Sequence, residues 1–227
     1  MTALPAEFVV ILHGMGGASW TMFPLELYLR RRSFQTINIT YPSRRGDLRA
    51  QAELVHSRLK IADVWNRSAK VHFVGHSMGG LVARTYLDKY KAQIPQEKMG
   101  RVVLAAPPNG GSEIADLLAH LVPYQLYFGP AGQELTTTSQ AQSPTPYYEL
   151  GIIAGTVGWP YPVASFFFDG AHDGRVAVER TKLPGMKDHI ALKATHSLIA
   201  WKRDVLKQIA AFIRDGAFER SPPTSFV

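Results

Sequence analysis

A short turn around a single serine is the feature of this sequence that most limits the fold it can adopt. Residues 75–79 read G-H-S-M-G, between an apolar run from Val71 to Val74 and a helical pattern of apolar residues from Met78. Strand, turn and helix in that order are the context in which a G-x-S-x-G motif has structural meaning. Glycines at both ends leave room for neighbouring backbone. The sequence therefore predicts a Ser77 hydroxyl held above a sheet edge, near the unpaired N–H groups of a helix start.

Strand and helix patterns alternate along the rest of the chain. This alternation predicts an α/β fold, with a mostly parallel central sheet of about six strands and helices on both faces. The predicted strands are 8–12, 36–41, 71–75, 101–106, 150–156 and 189–194. The predicted helices are 23–31, 47–64, 112–121 and 197–214, with a further helix from Met78 that ends before Pro95.

The length and composition suit one folded domain. The chain has 227 residues, of which 46% are hydrophobic and 19% charged, and no repeat or linker interrupts its pattern. We therefore predict a single domain over 1–227 with a small lid or none. Two connections, 108–149 and 157–172, are long for a compact domain. The first predicts a small cap over 112–148, and the tail over 215–227 is expected to be loosely held.

A serine hydroxyl becomes a strong nucleophile when a base takes its proton and an acid orients that base. In this topology the acid and the histidine follow the serine along the chain. Asp173, in the polar turn A-H-D-G-R-V, fits the acid, and His196, between the last strand and the final helix, fits the base. The competing residues are Asp169 and Asp188 for the acid and His172 for the base.

Acyl transfer also needs N–H donors aimed at the negative charge that develops on the carbonyl oxygen. One predicted donor is the backbone N–H of Met78, at the start of a helix. The other lies in the loop H-G-M-G-G that follows the first strand. Met15 is the predicted donor there and Gly16 the alternative, whereas His13 is expected to brace the loop by hydrogen bonds.

Two aromatic stretches lie in the long connections, and they predict an acyl pocket. Core packing of a small cap accounts for the same stretches equally well, so both interpretations remain open. The residues concerned are Tyr124, Tyr127, Phe128, Trp159 and Phe167.

Composition removes several classes of function. Without cysteine there is no disulfide, no thiolate metal site and no cysteine nucleophile. No calcium-binding pattern is recognisable, so we expect neither a metal nor a cofactor. The net charge of +7 is spread along the chain, with short clusters at 30–32 and 44–45, which favours a solvated surface over a nucleic-acid partner. Transient contact with a membrane or lipid surface stays open, as does the oligomeric state.

The N-terminal segment lacks the basic region of a secretory signal, and no apolar run is long enough to span a bilayer. From this pattern we expect a cytoplasmic location.

With these motifs the chain resembles the α/β-hydrolase superfamily, and within it the bacterial lipases and esterases. The matching segments are 13–17, 75–80, the surroundings of Asp173 and His196, and A-P-P-N-G-G-S-E-I-A-D, which ends at Asp116. The resemblance implies the α/β-hydrolase fold, a serine–histidine–aspartate triad and hydrolysis of small-molecule or lipid carboxylic esters. The alternatives are a thioesterase or amidase with the same triad, or a non-catalytic lipid-binding module, which predicts a broken triad.

Overall fold

The computed structural model describes residues 6–140, 144–160, 168 and 170–220. Its centre is a six-stranded sheet in the order β2-β1-β3-β4-β5-β6, and every neighbouring pair is parallel. The strands are β1 Glu7–Leu12, β2 Gln35–Ile39, β3 Lys70–His76, β4 Met99–Ala105, β5 Leu150–Gly155 and β6 Asp188–Leu192. This architecture confirms the predicted α/β fold, with strand boundaries displaced by one or two residues from those expected.

The helices connect these strands and run back across the sheet. They are α1 Phe23–Arg30, α2 Leu48–Ile61, α3 Val64–Arg67, α4 Met78–Lys89, α5 Glu113–Leu118, α6 Val122–Gln133, α7 Thr137–Gln140, α8 Val178–Thr181 and α9 Arg203–Asp215. In the described part of the chain, no helix is both long and apolar enough to cross a bilayer.

Alternation along β1 shows why helices cover both faces. Val10 and Leu12 belong to a buried cluster that includes residues of α2 and α4, whereas Val9 and Ile11 belong to a second cluster with residues of α1 and α9. Successive side chains of a strand point to opposite faces, so a strand that is apolar at every position needs a cover on each side. Both faces of the sheet are therefore buried.

Two predicted helices end or begin elsewhere. The predicted helix 47–64 starts at Leu48, because Asp47 caps it: the Asp47 carboxylate accepts a hydrogen bond from Ala50 N at 2.8 Å. The helix ends at Ile61, because the backbone of Asp63 has a positive φ of 50°. The final helix starts at Arg203 and not at 197, since a short 3₁₀ turn occupies Ile199–Trp201.

The predicted cap region contains more helix than the pattern indicated. A helix occurs at α5, close to the predicted 112–121, and α6 follows it, where the sequence predicted only an aromatic stretch. Gly129 (φ 61°) and Pro130 interrupt α6 and hide its helical spacing.

The C-terminal tail is held where the structure describes it. Phe218 is buried against Phe212, and its N–H donates to Asp188 at 2.9 Å. This contact departs from the expected looseness over 215–227, because an apolar side chain in the tail finds a place in the core. The remaining residues, 221–227, lie outside the described part of the chain.

Candidate active site

Ser77 sits between β3 and α4 in a strained backbone conformation. Its φ and ψ are 53° and −126°, which non-glycine residues rarely adopt. Ser77 N donates to Ala105 O at 2.9 Å, so the turn is fixed to the neighbouring strand β4. The serine is consequently presented at the carboxyl edge of the sheet, directly before the first turn of α4.

The glycines of the turn are required by close backbone contacts. A Cβ on Gly75 would lie 2.6 Å from Gly79 O and from Gly80 Cα. A Cβ on Gly79 would overlap the carbonyl oxygens of Leu12 and His13 at the end of β1. The serine turn therefore packs tightly against its own helix and against the neighbouring strand, as the motif predicted.

The structure brings three of the predicted residues into one chain of hydrogen bonds. His196 Nε2 lies 2.9 Å from Ser77 Oγ, and His196 Nδ1 lies 2.8 Å from Asp173 Oδ2. All three are buried, with 8%, 3% and 1% of Ser77, His196 and Asp173 exposed. One neutral tautomer satisfies both contacts, since Nδ1–H donates to the carboxylate and Nε2 accepts from the hydroxyl.

Asp173 is held as a carboxylate by its surroundings. Its Oδ1 accepts hydrogen bonds from the N–H groups of Arg175 and Val176, at 3.0 and 2.9 Å. Burial alone raises the pKa of this carboxyl, but the adjacent His196 ring and the donated hydrogen bonds outweigh burial and hold the pKa below its ordinary value. The acid is therefore ionised at neutral pH.

The competing acids and bases lie elsewhere or are engaged differently. Asp188, at the amino end of β6, is paired with Arg220. His172 accepts from Gly174 N at 3.1 Å and stacks on Phe168. Asp169 lies outside the described residues. Among the described residues, His196 and Asp173 are the pair that the structure brings to Ser77.

The loop after β1 lies against the serine turn. A Cβ on Gly14 would be 3.1 Å from Ser77 Cβ. Gly16 N donates to Ser43 Oγ at 2.9 Å, so this alternative donor is already engaged. The N–H groups of Met15 and Met78 have no acceptor among the described residues, and Met15 lines the same cavity as Ser77. The geometry thus favours Met15 over Gly16.

His13 braces this loop from beneath. Its ring stacks on Tyr41 at 4.2 Å, Nδ1 lies 2.8 Å from Gly14 O, and Nε2 accepts from Tyr41 N at 3.3 Å. The Tyr41 hydroxyl donates to His13 O. Burial lowers the pKa of His13, so the ring is neutral and serves as a structural support.

A cavity of about 520 Å³ opens above Ser77 and His196. Its wall is largely apolar, with Tyr124 and Phe128 from α6 among the residues that line it. The helix α5 contributes Ile114, Leu117 and Leu118, which the sequence analysis missed although they have the spacing of one helical face. Such a cavity suits an apolar acyl group.

Two of the predicted pocket aromatics do not line this cavity. Tyr127 is exposed and lies under the guanidinium of Arg44, 4.8 Å from its ring centre, because it is about 100° around α6 from Phe128. Trp159 is also exposed, in the loop after β5. Phe167 lies outside the described residues. The structure therefore brings Tyr124 and Phe128 to the cavity but not Tyr127 or Trp159.

No sequence pattern indicates one contact of the site, which is made by the side chain of His76. The His76 ring lies between the loop at Gly14 and the backbone of His196.

Within the described ranges, no group of three or more His, Asp or Glu side chains is placed to hold a metal ion.

The sequence of this chain matches the model of one known family. Over residues 9–223 the sequence matches the model of the alpha/beta hydrolase family. No curated protein sequence matches the chain.

Solved structures show the same fold at low identity. The propeptide form of a Bacillus licheniformis lipase, BlEst2, has a TM-score of 0.75 at 19% identity; the match covers 97% of this chain and 53% of the lipase chain. The mature form of the same lipase has a TM-score of 0.71 at 19% identity, and the match covers 93% of this chain and 90% of the lipase chain. A metagenomic carboxyl esterase, MGS0156, has a TM-score of 0.67 at 16% identity, over 87% and 66%. At these identities the likeness concerns the fold. The family match, the parallel sheet and the serine turn lead to one conclusion: the chain belongs to the alpha/beta hydrolase family.

Proposed function

We propose that this chain is a serine hydrolase that cleaves carboxylic esters with apolar acyl groups. The observation that carries the proposal is the hydrogen-bonded chain Ser77–His196–Asp173 at the base of an apolar cavity of about 520 Å³. A buried, ionised acid beside a histidine that contacts a serine hydroxyl is the arrangement that activates a serine as a nucleophile. The apolar wall supports an acyl group as the part of the substrate that is bound.

In the acylation step, His196 Nε2 takes the proton of Ser77 while Oγ attacks the carbonyl carbon. The carbonyl oxygen becomes negatively charged and accepts hydrogen bonds from the N–H groups of Met15 and Met78. Asp173 stabilises the imidazolium that forms. When the tetrahedral intermediate collapses, the bond to the alcohol oxygen breaks, and His196 donates its proton to that oxygen. The alcohol leaves, and the acyl group stays on Ser77.

In the deacylation step, a water molecule enters from the cavity. His196 takes one of its protons, and the resulting hydroxide attacks the acyl carbon with the same N–H groups around the oxyanion. The bond to Ser77 Oγ then breaks, and His196 returns the proton to Oγ. The carboxylic acid is released and the enzyme is restored.

The same groups would act on a thioester or an amide, because the oxyanion chemistry is shared. Rates on matched oxygen-ester, thioester and amide substrates with one acyl group separate these alternatives. We expect the oxygen ester to be cleaved with the highest kcat/KM.

Covalent labelling tests the proposal directly. A fluorophosphonate probe should label the wild-type chain at Ser77 and should not label Ser77→Ala. Circular dichroism of both proteins is the control for folding. A folded wild type that takes up no probe would contradict the enzymatic role and favour a non-catalytic binding module.

A further inference from the structure

The exposed apolar side chains are concentrated at one end of this molecule. Eleven large apolar side chains are exposed in the described part of the chain. Ten of them lie in α5 and α6, at the start of α1 or in loops that follow a strand, at the carboxyl edge of the sheet where the cavity opens. The exception is Ile61, at the far end of α2 and 80% exposed. Apolar residues scattered singly over a surface need no explanation, but a concentration at one end marks an interaction surface.

The helices α5 and α6 form one side of this surface. Residues 117–133 contain no Asp, Glu, Lys or Arg. Leu121, Val122 and Leu126 are all exposed, Leu126 to 82%. A water-facing pair of helices ordinarily carries charged residues on its outer face. This hairpin is therefore suited to a partner that accepts apolar side chains.

A second set of exposed apolar side chains lies in the loops that follow β1 and β6. Trp20, Leu198 and Trp201 are exposed there. Trp201 Nε1 donates to Thr21 O at 2.7 Å, so the two loops are joined. A tryptophan ring suits the boundary between lipid headgroups and acyl chains, and Trp201 offers its exposed ring there while its N–H is bound to Thr21.

Basic side chains accompany the apolar ones. Arg44 and Arg45 follow β2, and Lys193, Lys202 and Arg203 follow β6; all five are exposed, and none forms an ion pair with a described residue. Arg44 also lies over the ring of Tyr127 in α6, which connects the two kinds of side chain. The acids in the same loops are Asp47, which caps α2, and Asp204.

We propose that this end of the molecule docks on an anionic lipid bilayer. The apolar side chains of the α5–α6 hairpin and the two tryptophans, Trp20 and Trp201, enter the boundary between headgroups and acyl chains, and the basic side chains contact the lipid anions. The opening of the cavity then faces the bilayer, from which an apolar ester can enter without crossing water. Docking itself needs no catalysis and does not depend on the proposed function.

Cosedimentation with vesicles tests the docking. The probes are vesicles of phosphatidylcholine alone and vesicles of phosphatidylcholine with an equal amount of phosphatidylglycerol. We expect the wild type to bind the anionic vesicles, and Leu126→Ser to weaken that binding about tenfold, since a leucine-sized side chain is withdrawn from an apolar environment. The matched control is Ile61→Ser, which removes an equally exposed side chain from the opposite end and should bind like the wild type.

The outcomes separate docking from hydrolysis. Ser77→Ala should bind vesicles like the wild type, whether or not the chain is an esterase. Hydrolysis of a water-soluble short-chain ester should be the same for Leu126→Ser and the wild type. Equal loss of binding in Leu126→Ser and Ile61→Ser, no binding by the wild type, or a dimer in solution that Leu126→Ser abolishes would overturn the proposal; the last result would assign this surface to a second copy of the chain.

Discussion

His76 Nε2 lies 2.9 Å from the backbone carbonyl oxygen of His196, so the residue before the serine holds the backbone of the residue that faces the serine. Burial lowers the pKa of His76 to about 3, and its ring is therefore neutral. Because a carbonyl oxygen can only accept, Nε2 carries the hydrogen and donates it. The same ring supports the loop after β1, where a Cβ on Gly14 would lie 3.2 Å from His76 Nδ1.

Removing this donor should disturb the orientation of His196. We expect His76→Leu to lower kcat by about ten- to hundredfold with little change in KM, because a lost buried hydrogen bond costs about 1–3 kcal/mol. His76→Gln, whose amide can donate from a similar position, should recover part of the rate. Steady-state kinetics on a soluble ester check this. Equal rates for His76→Leu and the wild type would exclude a positioning role.

The acid can be tested with a matched pair of aspartates. Asp173→Asn should lower kcat by about three to four orders of magnitude, because a neutral amide neither stabilises the imidazolium nor keeps the correct tautomer. Asp188→Asn is the control, since Asp188 binds Arg220 away from the serine, and its kcat should stay near that of the wild type. If both variants lose activity alike, Asp173 has no special role.

The cavity wall should set the acyl length that is accepted. Leu118 lines the cavity, and Leu118→Trp should lower kcat/KM for an octanoyl ester at least about tenfold more than for an acetyl ester, because the indole occupies space that the longer chain needs. Leu126→Trp adds the same ring outside the cavity and should leave the ratio of the two rates unchanged. An unaltered ratio in Leu118→Trp would mean that the acyl group binds elsewhere.

Two neighbouring glycines of α4 should differ in their tolerance of a methyl group. A Cβ on Gly79 meets the backbone of Leu12 and His13, which cannot move aside, whereas a Cβ on Gly80 lies 3.2 Å from Pro107 Cβ and 3.3 Å from a Leu104 methyl. We expect Gly79→Ala to lower the free energy of unfolding by about 3 kcal/mol or more, and Gly80→Ala to change it by about 1 kcal/mol or less. Urea unfolding measures both, and the reverse order would contradict the packing of this turn.

His72 should make the stability depend on acid pH. Burial, together with the positive charges of Arg101 and Lys70, lowers its pKa to about 4. His72 therefore binds a proton more readily in the unfolded chain than in the folded one. Above about pH 6.5 His72 is neutral in both states, and the free energy of unfolding is not reduced by its protonation. As the pH falls from about 6.5 towards 4, protonation of His72 in the unfolded chain lowers the free energy of unfolding by up to about 1.4 kcal/mol for each pH unit.

The matched variant is His72→Gln, which can still accept the hydrogen bond that Arg101 N donates to His72 Nδ1 at 2.9 Å. Its free energy of unfolding, measured in urea between pH 4 and 7, should fall less steeply with acidity than that of the wild type. His76 contributes in the same direction in both proteins and cancels in the difference. Parallel curves would show that His72 does not titrate with unfolding.

Local pattern was sufficient for the sheet and for the residues around Ser77. The strands are short segments that are either apolar throughout or alternate between apolar and polar residues. Because the carboxyl ends of parallel strands meet at one edge, the segments that follow Leu12, His76 and Leu192 converge there. The tight turn could be inferred because glycine is the one residue that fits beside a neighbouring backbone at Gly75 and Gly79. These features depend on chain geometry that a sequence carries locally.

The α6 side of the cavity wall and the contact from His76 to His196 have no such local signal. Gly129 and Pro130 interrupt the apolar spacing of α6, so the pattern does not indicate a helix there. The sequence shows that α6 contains aromatic residues, but the face of the helix on which each residue lies determines whether it reaches the cavity. The contact from His76 to His196 joins residues 120 apart, and His76 occupies the first variable position of the G-x-S-x-G motif, where the residue type is not fixed. Met15 is favoured over Gly16 by the hydrogen bond from Gly16 N to Ser43 Oγ, a contact with another loop that the local sequence does not indicate.

The position of β6, late in the chain and at the edge of the sheet, affects the order in which the parts of the site form during folding. His196 follows β6, and its bond to Ser77 joins residues 119 apart in sequence, whereas the serine turn packs against α4 and the neighbouring strands β1, β3 and β4, all of which precede residue 106. Long-range contacts of this kind form after local ones, because closing a long loop costs more entropy. A chain emerging during synthesis therefore has its serine in place well before the histidine exists, and the complete site marks the end of assembly.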